Sequence, residues 1–201
     1  MVAGVPGVGK SRTLKHFTEQ EGYDALYLSI VDGEGKPTAV ATNLLRLFRE
    51  KSNGLSLSEM RERLMSYIGR GRVIILDEAQ YLERQGAEWV RGLAESGDID
   101  LVLAGDPMLH ALVAKVPQLY SRMLRPILIK EVLREDVQAM VEGTAFDTDW
   151  AVDGLHSVAR LKGGLRNVDN VTRIALLFAG QERPNRSRPS RWCNLSGGRR
   201  S

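Results

Sequence analysis

Cysteine is almost missing from this chain: Cys193 is the only one in 201 residues. An intrachain disulfide is therefore excluded, and so is a zinc site built on cysteine thiolates. Long apolar runs are missing too. No stretch approaches the roughly 18 consecutive apolar residues that a membrane-spanning helix needs, and the glycine-rich start lacks the basic-then-apolar plan of a secretory leader. These absences predict a cytoplasmic protein with no membrane partner. Histidine is scarce and scattered: His16, His110 and His156 show no metal-ligand spacing. Trp89, Trp150 and Trp192 do not form a series on which bases could stack. No internal repeat is visible, and no low-complexity tract precedes the last twenty residues.

What is present is an ordinary soluble composition, with 43% hydrophobic and 26% charged residues, which excludes a largely disordered chain. The length accommodates one sizeable α/β domain and a small appendage. The net charge of +3 is unevenly placed. Residues 181–201 carry six arginines against the single acid Glu182, a net of +5, which leaves −2 for residues 1–180. Rich in Pro, Ser and Gly, this basic tail reads as disordered and solvated, with affinity for polyanions as the sharper interpretation.

Short β-branched or Leu-rich runs at 24–30, 73–79, 100–106 and 127–132 have the pattern of strands buried on both faces of a parallel sheet. Between them, residues 11–20, 38–51, 57–68, 85–96 and 108–116 place apolar side chains at helical spacing, as in Met60, Leu64 and Ile68. Alternation of this kind predicts an α/β fold with a parallel sheet flanked by helices. After residue 132 the strands stop. Periodic stretches at 133–143, 150–161 and 166–179, the last two separated by Gly163-Gly164, predict a small helical subdomain. The expected boundaries are a nucleotide-binding core over 1–132, a helical lid over 133–180 and the tail over 181–201.

Two motifs carry chemistry. Gly4-Val5-Pro6-Gly7-Val8-Gly9-Lys10-Ser11 is a full match to the phosphate loop, in which backbone N–H groups and the following helix N-terminus converge on phosphate oxygens. Lys10 would reach the β- and γ-phosphates of ATP, and the Ser11 hydroxyl would ligate Mg²⁺. Val73-Ile74-Ile75-Leu76-Asp77-Glu78 puts two acids at the carboxyl end of a buried strand, where parallel sheets bind ligands. Asp77 would hold hydrated Mg²⁺, and Glu78 would orient the attacking water or accept its proton.

With these two motifs in one α/β chain, the sequence resembles the AAA+ ATPases. The resemblance implies a P-loop AAA+ core, a helical lid and ATP hydrolysis. It also implies a polar residue at the end of a third strand, touching the γ-phosphate region, which Leu101-Val102-Leu103-Ala104-Gly105-Asp106 would supply through Asp106. Family members place an arginine finger before the last strand. Here Leu119-Tyr120-Ser121-Arg122-Met123-Leu124-Arg125 offers Arg122, with Arg125 as the alternate, and Gly163-Gly164-Leu165-Arg166 resembles the lid motif whose arginine senses the γ-phosphate in cis. Within AAA+, the LDEAQYL, AGDPML, QLYSR and GGLRN runs are similar to those of the transposition ATPases, the Mu protein B and TnsC-like family. That resemblance covers roughly residues 1–180. It implies a homo-oligomeric ring or filament, non-specific binding to double-stranded DNA and stimulation of a transposase. It implies DNA contacts just beyond the second strand, where Lys36 and Thr38 stand in Asp32–Thr38; an ordinary exposed loop is the competing reading. Three residues precede Gly4, fewer than a central strand usually has, so the expectation is an N-terminally clipped core. Two alternatives follow: another AAA+ ATPase, initiator-like, helicase-loading or secretion-associated, and a nucleotide-binding remnant without turnover.

Overall fold

In a computed structural model, residues 1–20, 24–124 and 126–182 are described. The alternate arginine, Arg125, and residues 183–201 of the basic tail lie outside them. By its internal packing the chain forms two compact units, one made of Met1–Val5 with Gly9–Lys130 and the other of Pro6–Val8 with the chain from Glu131 on.

The first unit is built on a parallel sheet. Strands β1 (Val2–Gly4), β2 (Ala25–Ser29), β3 (Val73–Asp77), β4 (Asp100–Gly105) and β5 (Ile127–Ile129) lie in the order β2-β3-β4-β1-β5. Every neighbouring pair is parallel, and the registers Ser29↔Asp77, Leu76↔Leu103 and Ala3↔Gly105 align their carboxyl ends. The chain leaves β1 toward β2 on one side and later crosses β1 to reach β5 on the other. Such a reversal opens a crevice at the carboxyl edge, the usual ligand position of an open α/β sheet.

Helices α1 (Lys10–Glu19), α2 (Pro37–Leu47), α3 (Leu57–Ile68), α4 (Arg84–Gly97), α5 (Met108–Ala114) and α6 (Pro117–Ser121) complete this unit. Val40, Leu44 and Leu45 of α2, Leu64 and Ile68 of α3, and Val90 and Leu93 of α4 share one apolar core with Ile74 and Leu76 of β3. Each fully buried Leu or Ile there contributes about 1.5–3 kcal/mol. The starts of the helices follow local chemistry. Pro37 opens α2 at a position where its missing N–H costs nothing. Ser56 and Glu59 cap α3 reciprocally: the Glu59 carboxylate accepts from the Ser56 N–H at 2.7 Å and the Ser56 hydroxyl accepts from the Glu59 N–H at 3.3 Å.

The α/β architecture agrees with the sequence expectation, with four corrections. Strands β1 and β3 and the end of β4 are closely buried; β2 is half-buried and β5 largely exposed, because both are edge strands. The strand expected over 73–79 ends at Asp77, and Ala79–Tyr81 form a 3₁₀ turn instead. Helix α2 stops at Leu47 rather than running to residue 51, since Arg49 takes a left-handed conformation at φ 60°. Residues 117–121, assigned no helix from sequence, form α6 behind Pro117.

The second unit contains α7 (Arg134–Val141), α8 (Asp149–Ala159) and α9 (Leu165–Glu182). Val137, Val141, Val152, Leu155, Ala159 and Val168 are the buried apolar positions of these helices. Arg134 bridges to Asp149 at 2.8 Å and Asp153 at 2.6 Å, joining the start of α7 to the first turns of α8. No helix among the described residues is long and apolar enough to cross a membrane.

Candidate active site

The Gly4–Ser11 segment joins β1 to α1, so its start sits at the carboxyl edge of the sheet and its end is the first turn of a helix. Gly9 precedes α1 at φ 96°, a left-handed conformation that glycine adopts without a side-chain penalty. No acidic residue occupies the first turn of α1, which leaves the unpaired N–H groups and the positive helix end available to an anion. Lys10 is the first residue of that helix. Its ammonium donates to Gly4 O at 2.7 Å and to Val5 O at 3.1 Å. Burial holds its pKa below the ordinary lysine value, while the carboxylates of Glu78, Asp77 and Asp106 push the other way. Three acids proposed from two separate strand ends thus act on one ammonium.

Asp77 is 1% exposed at the end of β3. A buried carboxylate needs partners, and it has two: Oδ2 accepts from the Tyr27 hydroxyl at 2.5 Å, and Oδ1 accepts from the Glu78 N–H at 2.9 Å. The Tyr27 phenol also accepts from the Ser11 hydroxyl. Burial first, then the hydrogen bond to Asp77, drives the Tyr27 pKa well above the ordinary phenol value, so it remains a neutral donor. Ser11 and Asp77 are therefore both neighbours of one phenol oxygen. Glu78 follows at φ 53° and ψ 33°, a left-handed conformation for a residue with a side chain. Its Oε2 accepts from Gln80 Nε2 at 2.6 Å, and Gln80 Oε1 accepts from the Asp106 N–H at 3.1 Å. Asp106 Oδ1 in turn accepts from the Met108 N–H at 2.8 Å, at the start of α5.

The fold brings Lys10, Ser11, Asp77, Glu78 and Asp106 together. The other candidates lie on other elements. Arg122 caps the carboxyl end of α6, exposed, and its guanidinium is ion-paired with Glu95 of α4, which also pairs with Arg91 at 2.5 Å. Arg166 is the second residue of α9 and is exposed. Lys36 is the N-cap of α2 and Thr38 lies in its first turn, both exposed. The neighbouring Gly35 is buried, and its carbonyl accepts from the Glu83 N–H at 3.1 Å, directly after the 3₁₀ turn that follows Glu78.

Sequence reasoning missed Tyr27 and Gln80. Tyr27 lies on β2 opposite Ile75, two residues ahead of the Ser29–Asp77 pair, a register that the sequence does not state. Gln80 lies in the quoted LDEAQYL run, and its side chain is brought to Glu78 by the 3₁₀ turn that replaced the expected strand.

The donor set fits one hydrated Mg²⁺. A buried carboxylate and a hydroxyl converge on the same phenol, which suits a hard cation that keeps water and borrows phosphate oxygens. Among the described residues there is no cluster of three or more His, Cys, Asp or Glu that could form an all-protein cage.

The family described as AAA domain matches residues 1–113, and the family described as Mu B transposition protein, C terminal, matches residues 121–188. The chain is 24% identical over 196 residues to the ATP-dependent target DNA activator B of Escherichia phage Mu, covering 89% of this chain and 59% of that protein. It is 24% identical over 179 residues to the Mu-like prophage FluMu DNA transposition protein B of Haemophilus influenzae, covering 82% and 60%. It thus spans about three fifths of the curated relatives' length. Among solved structures it resembles the ORC1 protein of Aeropyrum pernix in complex with DNA, with a TM-score of 0.63 at 20% identity over 93% of this chain and 56% of that one.

Proposed function

This chain belongs to the AAA domain family, and from that premise we propose that it binds and hydrolyses ATP with Mg²⁺ and, assembled as a homo-oligomer, holds double-stranded DNA as a target for a transposase. The observation that carries the nucleotide part is the convergence of Lys10, Asp77, Glu78 and Asp106 at the carboxyl edge of the sheet. Lys10 exchanges its loop carbonyls for the β- and γ-phosphates, and the N–H groups of the loop and of α1 hold the remaining phosphate oxygens. Ser11 and Asp77 hold Mg²⁺, which supplies charge neutralisation along the phosphates. Glu78 orients the attacking water and takes its proton. Asp106 lies beside it as the polar residue of the third strand end. Arg122 is the finger for a neighbouring subunit, and Arg166 the γ-phosphate sensor of the second unit.

The Tyr27 hydroxyl orients Asp77 from behind. Removing such a partner typically costs a metal site about 10- to 100-fold in affinity. Tyr27→Phe should therefore raise the Mg²⁺ concentration giving half-maximal phosphate release by about tenfold, with little change at saturating Mg²⁺. An unchanged Mg²⁺ titration would remove Tyr27 from the site.

The DNA part is supported by the likeness to the phage Mu activator and by the exposed Lys36 and Thr38 at the start of α2. With a net of −2 over residues 1–180, one subunit has little affinity for a polyanion, so weak phosphate contacts add through assembly. ATP should accordingly strengthen binding. Fluorescence anisotropy on two unrelated duplexes, with and without a non-hydrolysable ATP analogue and over a salt series, tests it. Lys36→Ala should weaken both duplexes equally, because phosphate contacts carry no base information. Each lost phosphate contact flattens the salt slope by about 0.9, so removal of residues 181–201 reports directly on the tail arginines. A folded, nucleotide-bound, oligomeric sample with no DNA affinity at low salt leaves the ATPase reading and removes the transposition reading.

A further inference from the structure

We propose that Gln80 is a positioning residue for ATP hydrolysis, holding the Glu78 carboxylate in one orientation by bracing it against the end of β4. The inference rests on the reading of Glu78 as the group that orients water and deepens it.

A carboxamide has a donor end and an acceptor end, and here each has one partner. The Asp106 N–H can only donate, so Oε1 faces it at 3.1 Å, and Nε2 is left to donate to Glu78 Oε2 at 2.6 Å. The second bond is charge-assisted and the stronger of the two. With one acceptor site of Oε2 taken by Gln80, Oε1 of Glu78 is the less engaged carboxylate oxygen for a water. A glutamate side chain left without a partner samples several rotamers; one tied through a neighbour that is itself anchored does not.

The backbone is arranged for this contact. Glu78 takes its left-handed conformation at the junction of β3 and the 3₁₀ turn, where the Tyr81 N–H donates to Glu78 O at 3.1 Å and brings Gln80 back toward the strand end. Gly105, the last residue of β4, provides the seat. A Cβ there would lie 2.3 Å from Gln80 Oε1 and 3.4 Å from the Gln80 backbone nitrogen. Gly105 is not among the glycines with positive φ, so it is the space, not the dihedral angle, that calls for glycine. The atom it makes room for is the anchored end of the carboxamide.

Three variants of the full chain separate this role from a purely structural one, each read by nucleotide binding, steady-state phosphate release and thermal melting. Gln80→Ala should lower kcat about 10- to 100-fold, with KM and nucleotide affinity within about threefold of the parent. Gln80→Glu is isosteric and still accepts from the Asp106 N–H, but it faces Glu78 with an anion instead of a donor; it should lose as much kcat as Gln80→Ala. Gly105→Ala displaces the Gln80 carboxamide, with a lesser 3.3 Å approach to Leu109 Cδ2 that thermal melting reads, and leaves the backbone in place. It should lower kcat similarly, yet add nothing in a Gln80→Ala background, since both changes break one contact. Parental kcat in Gln80→Glu, unchanged or raised kcat in Gln80→Ala, or additive losses in the Gly105→Ala, Gln80→Ala double variant would each overturn the proposal. Glu78→Gln serves as the reference. If it retains turnover, the reading of Glu78 falls first; if it is inactive while the Gln80 variants match the parent, the positioning role alone falls.

Discussion

A Glu78→Gln variant is expected to bind ATP as well as the parent or slightly better, and to release phosphate about 10²- to 10⁴-fold more slowly. Both halves follow from its surroundings. The glutamine keeps the shape of the side chain at the start of the 3₁₀ turn, so the phosphate loop, Lys10 and Asp77 keep their places. It removes one of three negative charges acting on the Lys10 ammonium, which reduces repulsion toward the phosphates and favours the nucleotide. What it lacks is a carboxylate able to take a proton from water. Equilibrium binding of a fluorescent ATP analogue, set beside steady-state phosphate release, separates the two effects. Parental turnover in the variant would end the assignment of Glu78, and loss of binding would mean that the side chain supports the loop instead.

The parts of this site legible in the sequence are those whose chemistry is contiguous. Gly4 to Ser11 is one uninterrupted pattern, and its position between a strand and a helix follows from the loop's own needs. The Ile74-Ile75-Leu76 run announces a buried strand, and β3 is buried. The pairings that complete the site join distant segments. Tyr27 reaches Asp77 across fifty residues and Gln80 meets the Asp106 N–H across twenty-six; both depend on the strand order β2-β3-β4-β1-β5 and its registers. Periodicity reports which side chains want burial and says nothing of which strand lies beside which. It likewise misread β2 and β5, whose apolar runs resemble buried strands but lie at the sheet edges. Gly105 was visible only as a letter in a strand, because the reason for glycine is a carboxamide arriving from the 3₁₀ turn that follows β3. Arg122 was visible as a candidate, whereas its ion pair with Glu95 was not, since α4 and α6 meet only in the folded chain.

That ion pair shapes the second large effect. Glu95 is shared by Arg91 and Arg122, so two guanidinium groups face one carboxylate and a positive charge is left over. Exposed pairs of this kind are worth only about 0–1 kcal/mol, and Arg122 can therefore leave Glu95 for a stronger anion supplied by a neighbouring subunit. In the proposed head-to-tail assembly the phosphates of the adjacent nucleotide would be that anion, and an arginine acting there contributes about 10³-fold or more to turnover. Arg122→Ala is thus expected to bind ATP and assemble normally while losing about 10³-fold in kcat. Glu95→Ala removes the partner within the chain but keeps the guanidinium, and should stay within about threefold of the parent; equal losses in the two variants would reduce Arg122 to a structural contact. Mixing gives the sharper measurement. Arg122→Ala subunits keep a working pocket and Glu78→Gln subunits keep a working finger, so at equal proportions roughly a quarter of randomly formed head-to-tail interfaces combine both. Phosphate release should recover toward that fraction of the parental rate from two proteins that are each inactive. If the two variants co-assemble and no mixing ratio restores activity, Arg122 does not act across the interface.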